Sequence, residues 1–230
     1  MGFNILPVVI KNLLIVNVLI FLGQQTMHKM DSAWLEQHFA LFDVRSYFFR
    51  PHQLVTYMFL HGDWGHVFFN MFAVWMFGSA LENKWGPKRF FLFYMLSGIG
   101  AGLLHLGVLY LENNAAVAEL HTLNPFTDGE RAEGIYRQLN SATLGASGSV
   151  FGCLAAFGYL YAESYIYLYF LVPMKAKWFV LLYAGAELWM GIRNSAGDNV
   201  AHWAHLGGAL VGFLLAYYWN RQEINRRRLY

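Results

Sequence analysis

Ser147 stands in the run Gly145-Ala-Ser147-Gly148, and two histidines stand in His202-Trp-Ala-His205-Leu-Gly-Gly208-Ala-Leu-Val-Gly212. A third polar run, His61-Gly-Asp-Trp-Gly-His66-Val-Phe-Phe-Asn70, precedes both. A serine hydroxyl becomes a useful nucleophile when an adjacent base takes its proton, and histidine is the usual base. The oxyanion formed by attack on a carbonyl needs preorganised donors, which amide side chains and backbone N–H groups supply. Ser147, one of the late histidines, and Asn70 with His66 would together make a site for acyl transfer.

Helical spacing is compatible with that grouping. His66 and Asn70 are four apart and share one face of a helix, as do Ser147 and Phe151. Gly145 and Gly148 would let a substrate backbone or a neighbouring helix come close to Ser147. Gly208 and Gly212 form a small-residue face beyond His205, and such faces bring helices into backbone contact. Each run alone has a plainer reading. Gly-x-Ser-Gly in a membrane helix usually serves packing. The Gly-x-Ser-x-Gly elbow of soluble hydrolases is not met, because residue 149 is Ser. His202 and His205 are spaced for a metal or haem pair. His61 and His66, five apart, would leave a helix on different faces and make a poor zinc pair, and His-Glu-x-x-His is absent. Hydrogen bonding between helices is the expected role of His202, His105 and Glu187.

The elements that must position these residues are membrane helices. Hydrophobic residues make up 57% of the chain and charged ones 13%, about half the charged share of soluble domains. That is too little charge to cover a globular surface. The net charge of +2, without a basic stripe, argues against nucleic acid as a partner. The single cysteine, Cys153, sits in an apolar run and reads as a small buried hydrophobe. A helix needs about 20 mostly apolar residues to cross the hydrocarbon core. Six runs qualify, at residues 6–22, 67–83, 90–110, 141–161, 178–192 and 200–219, the fifth being the shortest. The first lacks the basic leader and small-residue cleavage site of a removable signal. Polar connections at 24–49 and 111–138 are long, whereas the turn at 83–89 is short. Lys84, Lys88, Arg89, Lys175, Lys177, Arg221 and Arg226 to Arg228 fall on one side of a six-span arrangement. By the positive-inside rule that side, with both termini, is cytoplasmic. No repeat or linker divides the chain, so residues 1–230 are read as one domain.

The ordered set of runs resembles the rhomboid family. It comprises an extended first loop, His61-Gly-x-x-x-His66-x-x-x-Asn70 opening span two, Gly145-x-Ser147-Gly148 in span four, and Ala204-His205-x-x-Gly208-x-x-x-Gly212 in span six. The resemblance runs from about Pro51 to Trp219 and includes Glu82 and the Trp85-Gly86 turn. It implies an all-α membrane protein, a six-helix rhomboid-like bundle with a long loop between helices 1 and 2. The implied activity is serine endopeptidase cleavage of transmembrane segments, with Ser147 as nucleophile and His205 as base. Asn70, His66 and the Ser147 N–H would hold the oxyanion, with Gly145 and Gly148 supporting the site. His61 would be a structural histidine ordering the first loop, and Glu82, Gly208 and Gly212 would be structural as well. Phe151 falls where the family often carries an aromatic, commonly Tyr, packed on the histidine ring. No Asp is evident to orient that ring, so packing would have to do so. His61, Gln53 and Asn140 are expected to help retain water at the site. No cofactor or metal is implied. Partners would be transmembrane protein substrates within the lipid bilayer, and the location a plasma (inner) membrane. A transporter or channel lined by the same polar groups, or an inactive rhomboid-like binder, are the competing readings; the absence of an internal repeat weakens the former.

Overall fold

The computed structural model describes residues 2–30, 32–124, 127–168, 171–193 and 201–227. Helix α1 (Val8–Lys29) begins after Pro7, and the short helices α2 (Trp34–Phe39) and α3 (Gln53–Thr56) follow in the connection after it. Helix α4 (Trp64–Ala73), a π-helical segment (Val74–Gly78) and α5 (Ser79–Trp85) run on without leaving helical backbone angles. Gly86, at φ +80°, ends that run in a conformation few other residues adopt, and Pro87 opens α6 (Pro87–Glu112). Helices α7 (Asn114–Leu120) and α8 (Gly129–Leu139) fill the next connection, and α9 (Ser147–Leu160) follows. Strands β1 (Tyr165–Leu168) and β2 (Val172–Lys175) pair as an antiparallel hairpin before α10 (Ala176–Arg193) and α11 (His202–Arg227).

The elements differ from the expected spans in instructive ways. The helix at the expected second span starts three residues early because Asp63 caps it, its Oδ1 accepting from His66 N at 2.8 Å. The fourth starts late. Residues 141–145 lie outside the helix, with Thr143 bridged to Leu41 and Gly145 at φ +129°, outside the helical region. The expected all-α fold gains the hairpin, which uses the aromatic and β-branched run Tyr165-Ile-Tyr. The fifth helix is longer than expected, and the sixth reaches Arg227. Val200, Arg228 and the side chains of Arg226 and Arg227 lie outside the described residues.

Helix α9 is the axis of the packing, with ten of its residues buried from Gly148 to Gly158. Helix α11 lies directly on it. A Cβ added to Gly208 would overlap the carbonyl oxygen of Gly148, and one added to Gly212 would come within 2.5 Å of Gly152 Cα. On another side Gly148 faces Ala101 and Gly152 faces Ser97, both on α6. Small residues on three helices thus set α9 at backbone contact. Helix α1 packs at the edge by one stripe, Ile10, Leu13, Asn17, Phe21 and Gln24.

Glu82 joins the base of α1 to α5. Its carboxylate accepts from Val9 N at 3.0 Å and Ile10 N at 2.9 Å, satisfying two donors at a helix N-terminus. Asn83 Oδ1 accepts from Asn4 N at 2.9 Å nearby, and Arg89 reaches Glu223 of α11 at 3.2 Å. The start of the chain, the 83–89 turn and the end of α11 therefore share one end of the molecule. At the other end Asp43 holds Arg45 in two bonds of 3.0 and 2.9 Å, and Asn113 donates to it at 2.8 Å. Burial raises the Asp43 pKa, but the bonds from Arg45 and Asn113 outweigh it and hold the carboxyl below its ordinary value. Arg45 also reaches the carbonyls of Leu109 and Tyr110, which ties the first connection to the end of α6.

Among the described residues, α1 and α6 are both long and apolar enough to cross a membrane. Helix α9 is apolar but has 14 residues, about 21 Å at 1.5 Å per residue. Large apolar side chains face outward around the bundle, among them Leu181, Leu182, Leu188 and Trp189 of α10 and Leu210, Phe213 and Leu214 of α11. Large outward apolar side chains in this number suit hydrocarbon better than water.

Candidate active site

Ser147 is the first residue of α9, placed there by the extended segment before it. Leu41 and Thr143 exchange two backbone bonds of 2.8 Å, and Gly145 N donates to Tyr57 O at 2.9 Å. The first connection is thereby fastened to the strand-like lead into the serine. Gly145 cannot be replaced freely, since an added Cβ would lie 2.7 Å from His66 Nε2. At the start of a helix the Ser147 N–H is among the donors that have no partner within that helix.

Ser147 Oγ lies 2.9 Å from His205 Nε2. The His205 ring stacks on Phe151, with centroids 4.3 Å apart and planes inclined by 8°. Phe151 is one turn from Ser147 on the same face of α9, so one helix presents the hydroxyl and the surface on which the imidazole rests. Gly208 and Gly212 bring α11 to α9 closely enough for that contact.

Asn70 is buried on α4, and its amide Nδ2 has no hydrogen-bond partner among the described residues. It borders the same cavity as Ser147, His205 and His66, a space of about 1060 Å³. Its apolar lining includes Phe69, Phe72, Met76 and Phe77 together with Phe179, Tyr183 and Met190 of α10. Polar groups beside an apolar lining are what a largely apolar chain segment with one reactive bond would require.

Two expectations about neighbouring groups need correction. His61 precedes α4 rather than lying on it, so the helical argument that separates it from His66 does not apply. The two rings meet edge to face with centroids 5.1 Å apart. The His61 backbone N donates to Gln24 Oε1 of α1 at 3.0 Å, and its ring nitrogens are buried without a hydrogen-bond partner among the described residues. Gln53 ties the connection together as well. Its amide donates to Phe48 O at 2.8 Å and its Oε1 accepts from Arg50 N at 3.0 Å. Gln53, His61 and Asn140 are not among the residues that line this cavity; Asp63, His105, Glu112 and Thr143 are among its further polar lining.

The other correction concerns the absent carboxylate. Glu187 Oε2 lies 2.9 Å from His205 Nδ1, on the ring edge away from Ser147, and 2.7 Å from His202 Nδ1. Glu187 does bond between helices, as expected, but one of its partners is His205 itself. Sequence spacing could not pair it, because it comes from α10, fifteen residues before His202. A buried acid in an apolar helix was the available signal. Glu187, His202 and His205 also each offer a ligand atom within 4.8 Å of the others, the kind of trio that can hold a metal.

Residues 49–222 match the profile of the Rhomboid domain. The chain is 29% identical over 182 residues to RHOMBOID-like protein 12, mitochondrial, of Arabidopsis thaliana, covering 78% of this chain and 48% of that protein. It is 30% identical over 178 residues to Rhomboid protein 1, mitochondrial, of Saccharomyces cerevisiae, covering 74% and 43%. Against Rhomboid protease GluP of Bacillus subtilis it is 27% identical over 169 residues, covering 71% and 25%. The chain spans less than half the length of each of these relatives. Two of the three are named as mitochondrial, so they do not single out the plasma membrane expected above. A profile match over three quarters of the chain, containing Asn70, Ser147 and His205 in order, makes this membrane protein a member of the rhomboid family.

Proposed function

We propose that the chain is an intramembrane serine endopeptidase, a reading carried by the 2.9 Å approach of Ser147 Oγ to His205 Nε2. His205 takes the hydroxyl proton as Ser147 attacks a substrate carbonyl, then delivers it to the departing amine. Water hydrolyses the resulting acyl-enzyme. The free amide of Asn70, with His66 and the Ser147 N–H, stabilises the oxyanion in this scheme. The substrate is a transmembrane helix that unwinds locally, because an intact helix satisfies and shields its own carbonyls. The apolar lining of the cavity, Phe72 and Tyr183 among it, suits such a segment.

In the same reading the spans are α1, residues 64–85, α6, α9, α10 and α11. The π segment divides the second, and Lys177, Glu187 and Arg193 lower the apolarity of the fifth. Helix α9 is short because the chain enters extended, which sets Ser147 below the membrane surface within reach of the cavity. A reporter fused after Tyr230 is expected to be cytoplasmic and one inserted at Asp128 to lie on the opposite face. Finding both on one side would break the six-span arrangement. Fractionation of the tagged chain separates a plasma membrane from an organellar one.

A fluorophosphonate probe on detergent-solubilised protein tests the chemistry. Labelling is expected in the wild type and to vanish in Ser147→Ala and His205→Ala, while His202→Ala weakens it. His202 lines the same cavity and shares the Glu187 carboxylate with His205, whose Nε2 is the nitrogen that faces Ser147. Were His202→Ala silent to the probe and His205→Ala normal, the base would be assigned one turn too far along α11.

A further inference from the structure

We propose that Glu187 is a positioning residue for the reaction, completing a hydrogen-bonded chain Ser147–His205–Glu187; this rests on the protease reading above. The stack on Phe151 sets the plane of the His205 ring but cannot set which edge faces Ser147, since a half-turn about the ring axis leaves the stacked area unchanged. The bond at Nδ1 removes that freedom. An ionised carboxylate only accepts, so a 2.9 Å contact with Glu187 Oε2 requires the proton on Nδ1. Nε2 is then unprotonated and presents its lone pair to Ser147 Oγ, the arrangement general base action needs.

The carboxylate is itself held. Only Ala176, Glu187 and Gly191 are buried on α10, so Glu187 and Gly191, one turn apart, form the inward face beside α11. A Cβ added to Gly191 would lie 3.3 Å from His202 Cβ and 3.4 Å from the Trp203 ring, so glycine there allows the close approach. His202 Nδ1 supplies a second donor to the same oxygen at 2.7 Å, its ring at 88° to that of His205. Leaving a carboxylate 3% exposed among apolar helices is costly unless it is bonded, and these two imidazoles bond it.

The proton path stays balanced. The Ser147 proton moves to Nε2 as the Oγ–carbonyl carbon bond forms, giving an imidazolium whose Nδ1–H remains on Glu187. Collapse of the tetrahedral intermediate breaks the peptide C–N bond and returns that proton from Nε2 to the amine. Glu187 stays ionised throughout and stabilises the imidazolium that forms.

The test uses the full chain in detergent with a transmembrane peptide substrate. Glu187→Gln and Glu187→Ala are expected to lower kcat by at least about 100-fold with KM within about twofold, and Glu187→Asp to recover part of the loss. Nitrogen-15 histidine spectra of the wild type, with His205 assigned by its loss in His205→Ala, should show His205 protonated at Nδ1 and bare at Nε2. That measurement decides even if the Glu187 variants do not fold. Unchanged kcat in folded Glu187→Ala, or His205 protonated at Nε2, overturns the proposal. So does an EDTA effect on the wild type as large as the Glu187→Gln effect, because the carboxylate would then be a metal ligand. Ser147→Ala run alongside separates the two readings: activity in that variant sinks the protease assignment, whereas its loss with normal Glu187 variants sinks only the role of Glu187.

Discussion

Replacing Ser147 by Ala is expected to reduce cleavage of a transmembrane substrate by a factor on the order of 10⁴ or more, with folding nearly intact. The side chain is half-buried, at the first position of α9, and its recorded bond is the one to His205. Losing it removes the nucleophile and leaves the packing face of the helix untouched. Ser149 is the internal control. It lies about 200° further round the helix. It is fully buried and donates to Tyr94 O at 2.8 Å, so Ser149→Ala should cost about 1 kcal/mol of stability and leave the rate within a few-fold. Cleavage kinetics and thermal unfolding of both variants check this. Wild-type turnover in Ser147→Ala, or an inactive but folded Ser149→Ala, would place the nucleophile elsewhere.

The second large effect is expected at Gly208. Any side chain there overlaps the Gly148 carbonyl, and two backbones in contact have no flexible group that can yield. Gly208→Val should therefore destabilise the protein by about 3 kcal/mol or more. In whatever fraction folds, a separation of α9 and α11 by about 1 Å would misplace His205 and lower the rate about 100-fold. Gly107 on α6 provides the contrast, because an added Cβ there meets nothing within 4 Å. Gly107→Ala should be neutral or stabilising by up to about 1 kcal/mol, as helix propensity alone predicts. Thermal unfolding of the two variants side by side decides. Equal stability would mean that α9 and α11 do not meet through Gly148 and Gly208.

What the amino-acid order determined by itself was the class of the protein and a short list of polar residues inside its apolar runs, Ser147 and His205 among them. Apolar runs long enough to be helices, and polar side chains stranded inside them, are local properties, legible without knowing which helices touch. Spacings of three and four residues also put Phe151 beside Ser147 and the glycines beyond His205 on one face, because those relations hold within a single helix. The tertiary structure decided what depends on contacts between elements. Where α9 begins turns on the bridge between Thr143 and Leu41, and the hold on His61 turns on its backbone bond to Gln24 of α1, both between residues far apart in the chain. Glu187 shows the limit most clearly. As a buried acid it stood out in the sequence, yet its partner was set by the approach of α10 to α11 at Gly191, and only that approach carries its carboxylate to the far edge of the His205 ring.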